Sequence, residues 1–111
     1  MIAKDQHELW IIMVSSLNNA LGYPSAKREA LGFSKEIVAN YLKEIIDDEN
    51  KVGEITPQQK RIILASMRIC LEAIDDWEFP ATMDYEKKEV MEFYQDLIQR
   101  WGEEEFLPLP S

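Results

Sequence analysis

The segment TPQQKRIILASMRICLEAIDDW, residues 56–77, constrains this chain more than any other. Thr56 is placed to cap the amide of Gln59, and Gln59 to reach back to Thr56, the arrangement of a capping box. Pro57 falls at the first helical position, where its missing N–H removes no hydrogen bond. From there to about Trp77, the apolar residues Ile62, Ile63, Leu64, Met67, Ile69, Cys70, Leu71 and Ile74 cover more than half the helix circumference. A helix apolar over so wide an arc has to be covered on several sides, so it belongs in the middle of a bundle. Its polar strip carries Arg61, Arg68, Glu72 and Asp75, with Arg68 and Glu72 spaced for an i,i+4 pair.

The other segments supply the covering helices. A first helix is expected from about Lys4 to Leu21, with Leu9, Met13, Leu17 and Ala20 on one face and Trp10, Val14 and Leu21 beside them. Gly22 and Pro24 stop it. Ile11 and Ile12 project from that stripe, and packing against a following segment is preferred to a partner surface. Residues 25–33 hold a possible short extra helix near 25–31, ended by Gly32. Ser34 is an N-cap for a helix over 35–48, whose ladders are Ile37–Tyr41–Ile45 and Val38–Leu42–Ile46. DENKVGEI then reads as a loop.

In EFPATMDY, Pro80 prevents a continuous helix, and Thr82 or Asp84 is placed to cap the next one. That helix carries Val90, Phe93, Tyr94, Leu97, Ile98 and Trp101 and stops at Gly102. Pro108 and Pro110 favour an extended tail over about 103–111, with Phe106, Leu107 and Leu109 folding back on the bundle or entering a partner. The expected fold is all-α, a bundle of four main helices in a single domain spanning 1–111. A chain of 111 residues is long enough to bury a core without disulfide or metal. Its one cysteine, Cys70, lies in an apolar pattern and excludes an internal disulfide. LWIIMV at 9–14 is too short to span a bilayer and has no basic leader before it, so a cytoplasmic location is expected.

Charge is distributed unevenly. There are 21 acids and 12 bases, a net charge of −9. Residues 1–71 balance nine acids with nine bases, so the whole excess falls on residues 72–111. Direct nucleic-acid binding needs the opposite sign and is not expected, whereas a basic protein partner is. Two stretches sharpen this, EIIDDEN at 44–50 and EAIDDWE at 72–78. Both place aspartates where a helix runs out, and a helix C-terminus carries partial negative charge. Lys43 and Lys51 lie near the first stretch. Beside the second, Arg68 is two turns back and the next base is Lys87. Aromatic residues are interleaved with its acids, as a surface that docks a basic protein requires. The expected partner-binding residues are therefore Asp75, Asp76, Glu78, Asp84, Glu86, Glu89 and Glu92 for charge, with Trp77, Phe79 and Tyr85 for contact area.

Catalysis finds less support. Glu44/Asp47, Glu72/Asp75 and Glu89/Glu92 have the i,i+3 spacing that puts two carboxylates on one helix face. In this the chain resembles the helical Mg²⁺-dependent nucleotide pyrophosphatases, the alternative reading, although their dense acidic motifs are not present in order. His7 is the sole histidine, so Glu-x-x-His di-iron pairs are absent. No serine stands in a glycine-flanked elbow and no glycine loop cradles phosphate. Neither catalytic residues, nor a metal, nor a cofactor is expected. In size, acidity, scarcity of cysteine and acidic–aromatic helical surface, the chain resembles the bacterial immunity proteins, which neutralise nuclease toxins of the colicin and contact-dependent inhibition type. That resemblance implies a non-enzymatic inhibitor whose carboxylates cover or fill the basic cleft of a nuclease. A helical subunit of a larger complex, associating through Ile11, Ile12 or the FLPLP tail, is a further alternative.

Overall fold

The chain folds as an all-α bundle, and a pair of helices forms its centre. The computed structural model describes residues 6–23 and 32–106. Helix α1, Gln6–Ala20, packs along α3, Pro57–Ala73, more extensively than any other two elements of the described residues meet. Helix α1 buries Leu9, Ile12, Met13, Leu17 and Ala20, so Ile12 belongs to the core. Small residues let the pair approach closely: the Cys70 thiol lies 3.5 Å from the Ser16 carbonyl oxygen. That burial pushes the Cys70 thiol up to about 12, which keeps it protonated and unreactive. The other face of α3 meets α5, Lys87–Trp101, while α2, Lys35–Ile45, leans on α1. A 3₁₀ helix, Glu49–Glu54, and the short α4, Phe79–Met83, close the remaining sides of α1. Among the described residues there is no strand, and no helix is long and apolar enough to cross a membrane.

Most helix starts follow local chemistry. The Thr56 hydroxyl accepts from the Gln59 amide at 3.1 Å, and the Gln59 side chain accepts from the Thr56 amide at 3.0 Å. Ser34 caps α2 by accepting from the Ile37 amide at 3.2 Å. Gly102 ends α5 at φ +69°, a left-handed conformation that glycine adopts without penalty.

Other expectations are corrected. Helix α2 ends at Ile45, not residue 48, and Ile37 and Ile46 are exposed; its buried face is Val38, Tyr41, Leu42 and Ile45. Helix α3 ends at Ala73, not Trp77, because Ile74 turns to an extended conformation. Pro80 lies in the first turn of α4, where proline is tolerated. Neither Thr82 nor Asp84 caps α5: the Glu89 carboxylate accepts from the Glu86 amide at 3.0 Å, and Asp84 ends α4 at φ +64°.

The tail is not extended throughout, since Glu104–Phe106 form a 3₁₀ turn with Phe106 buried. Arg68 donates to the Phe106 carbonyl at 2.7 Å, Tyr94 donates to it at 3.3 Å, and Arg61 pairs with Glu103 and Glu105. The polar strip of α3 thus receives residues 103–106. The possible helix near 25–31 and the residues after Phe106 lie outside the described residues.

Candidate functional site

The second acidic stretch becomes a turn held between two buried anchors. Ile74 is extended and 3% exposed, and Phe79 is completely buried. Between them the Asp75 carbonyl accepts from the amides of Glu78 and Phe79, each at 3.1 Å. Residues 75–78 are forced outward, and Trp77 is left 79% exposed. The aspartates therefore precede α4 and do not end α3. The Lys87 ammonium meets the negative end of α3 instead. It donates to the Ile74 carbonyl at 2.9 Å, pairs with Asp76 at 3.3 Å, and lies 6.0 Å from the centre of the Phe79 ring.

Two features of the expected site change accordingly. Phe79 supplies no contact area, because its ring belongs to the core. The second stretch does have a neighbouring base, Lys87, which the fold brings back from α5. Asp75, Asp76, Glu78, Asp84, Glu86, Glu89 and Glu92 are all exposed. Asp76 and Glu92 come together with Lys87, Lys88 and Met91 around an open groove of about 320 Å³. Glu86 and Glu89 serve the start of α5, and Tyr85 is half-buried, edge-on to Phe93 with ring centres 6.1 Å apart. Lys87 and Lys88 were missed as members of this surface. In sequence they are ordinary first-turn residues, and only the return of α5 past Ile74 reveals them.

The fold also sorts the acids of the C-terminal portion. Glu72 pairs with Arg68 at 3.1 Å, Asp96 with Arg100 at 2.7 Å, and Glu103 and Glu105 with Arg61. Asp75, Glu78 and Asp84 have no ion-pair partner among the described residues. Burial pushes the Tyr23 hydroxyl above its ordinary value, with Cys70, Glu78 and Asp75 adding to the effect. Over residues 75–92, seven acids outnumber two lysines.

The first stretch keeps Glu44, Ile46, Asp47 and Asn50 exposed, but the first turn of α1 contacts it at Ile45 and Glu49. Trp10 donates from its indole nitrogen to the Ile45 carbonyl at 2.7 Å, completing the end of α2. Gln6 donates to the Glu49 carbonyl at 3.0 Å, and the His7 ring, stacked on Trp10, meets the Glu49 carboxylate at 2.5 Å. Asp48 accepts from the Asn50 amide at 3.0 Å and so caps the 3₁₀ helix that follows.

The three i,i+3 carboxylate pairs do not converge, and among the described residues no group of three or more His, Cys, Asp or Glu side chains is placed to hold a metal ion. Asp75 has left the helix that carries Glu72, and Glu72 is engaged by Arg68. Comparison with protein-family models, with curated proteins and with solved structures finds no match.

Proposed function

We propose that this chain is a bacterial immunity protein, a non-enzymatic inhibitor that acts in the cytoplasm on a basic nuclease toxin through the surface around the 75–78 turn. One observation carries the reading: Trp77 projects 79% exposed between carboxylates. The other two tryptophans are engaged, Trp10 by its bond to Ile45 and Trp101 against the core with the Lys60 ammonium 5.7 Å from its ring centre. An exposed indole is uncommon on a surface that meets only water, and tryptophan is the residue most enriched among binding hot spots.

In this mechanism Asp75, Asp76, Glu78 and Asp84 attract the positive cleft, and Trp77 is desolvated on contact. Lys87 keeps the turn in shape by fixing the Ile74 carbonyl and Asp76. The carboxylates occupy positions where the toxin would otherwise bind phosphate. The reading is tested by co-expressing the chain with basic nuclease toxin domains in bacteria and scoring growth. Rescue by the wild type that is lost in Trp77→Ala supports it. Rescue by both chains alike, or by neither across the panel, contradicts it.

A further inference from the structure

We infer that the basic partner presents an arginine to the 75–78 turn, its guanidinium stacking on the Trp77 indole while Asp75 and Glu78 hold its edge. The inference rests on the proposed function only in taking the partner to be a basic protein. It adds which cation is recognised and by which side chains.

The turn has two sides. The Asp75 carbonyl accepts from the Glu78 amide at 3.1 Å, an i,i+3 bond that brings the Cα atoms of residues 75 and 78 within about 7 Å. The side chains at those two positions are carboxylates, both exposed and neither in an ion pair among the described residues. Asp76 is set apart from them, since the Lys87 ammonium engages it at 3.3 Å. The end of α1 lies beside α4, where Asn19 donates to the Thr82 carbonyl at 3.2 Å. Tyr23 follows that end, half-buried against the core. Burial raises its hydroxyl above the ordinary value, with Cys70, Glu78 and Asp75 adding to the effect, so both carboxylates stand within electrostatic reach of one group. Trp77, 79% exposed, sits between the two in the turn.

This combination narrows the cation. A guanidinium is flat and weakly hydrated, so its face can cover an indole while the N–H groups on its edge meet carboxylate oxygens. A lysine ammonium is a compact, strongly hydrated point charge that gains from the carboxylates but less from the ring. A second copy of this chain is a poor occupant, because seven acids against two lysines over residues 75–92 repel their own kind.

The test titrates the full chain at low salt with two peptides of equal charge, Gly-Arg-Gly-Arg-Gly and Gly-Lys-Gly-Lys-Gly, and follows the indole N–H resonances by NMR. The arginine peptide is expected to bind about fivefold tighter or more, shifting the Trp77 resonance and leaving those of Trp10 and Trp101 in place. The preference should disappear in the double variant Asp75→Asn, Glu78→Gln and persist in the charge-matched control Glu44→Gln, Asp47→Asn. All four side chains are exposed, and main-chain atoms close the turn, so both variants keep the fold. Equal affinity for the two peptides, no shift with either at millimolar concentration, or a preference that survives in the double variant overturns the inference. Growth rescue separates it from the proposed function. Full rescue by the double variant overturns this inference alone, whereas an arginine preference without rescue from any toxin overturns the toxin reading alone.

Discussion

EIIDDEN and EAIDDWE share a glutamate, an isoleucine and two aspartates at equal offsets, and both helices end one residue before the shared isoleucine. There they diverge. Ile46 keeps a helical conformation and is 45% exposed, whereas Ile74 is extended and 3% exposed. An outward isoleucine lets the chain continue over the surface, where the first turn of α1 contacts it. An inward one throws the next residues out and delivers Phe79 to the core. Both aspartate pairs then precede a new short helix, so carboxylates that look misplaced at a helix end stand before the next helix start. What separates the two stretches is what contacts them: Gln6, His7 and Trp10 in one case, Lys87 from beneath in the other.

That contrast can be broken in graded ways. Phe79→Ala removes the buried anchor of the second turn and is expected to destabilise the fold by about 3–5 kcal/mol in urea unfolding. A small effect would mean the turn is not pinned from inside. Lys87→Met leaves the Ile74 carbonyl and Asp76 without their cation, at an expected loss of about 1–2 kcal/mol by the same assay. Trp10→Phe removes the donor to Ile45 and should lower stability by about 1 kcal/mol, while Trp77→Phe changes it by less than about 0.5 kcal/mol. The same pair is separable by fluorescence: Trp77→Phe should abolish most acrylamide-quenchable emission and Trp10→Phe should not. Asp48→Ala removes a cap and is expected to cost about 0.5–1 kcal/mol, against nearly nothing for Asp75→Ala.

The bundle was legible because its signals are local. Thr56, Pro57 and Gln59 announce a helix start, Ser34 another, and Gly102 a stop, each through chemistry within four residues. The break at Ile74 was not legible, since an apolar residue there continues the phase of α3 whether the chain is helical or extended. Pro80 was equally ambiguous, because proline fits a helix's first turn as well as the gap before it. Of the site, the exposed acids could be read from charge alone. The burial of Phe79 and the position of Lys87 could not, because both depend on α5 returning past the end of α3.

The central claim is that the second turn, and not the first, meets a basic partner. The direct measurement is the dissociation constant of that partner, captured on the wild-type chain, for two matched triple reversals. Asp75→Lys, Asp76→Lys and Glu78→Lys together should weaken binding by about 100-fold or more, with a steep salt dependence in the wild type. Asp47→Lys, Asp48→Lys and Glu49→Lys together should leave affinity within about twofold. Equal losses in the two variants, or an unchanged affinity in the first, would contradict the account.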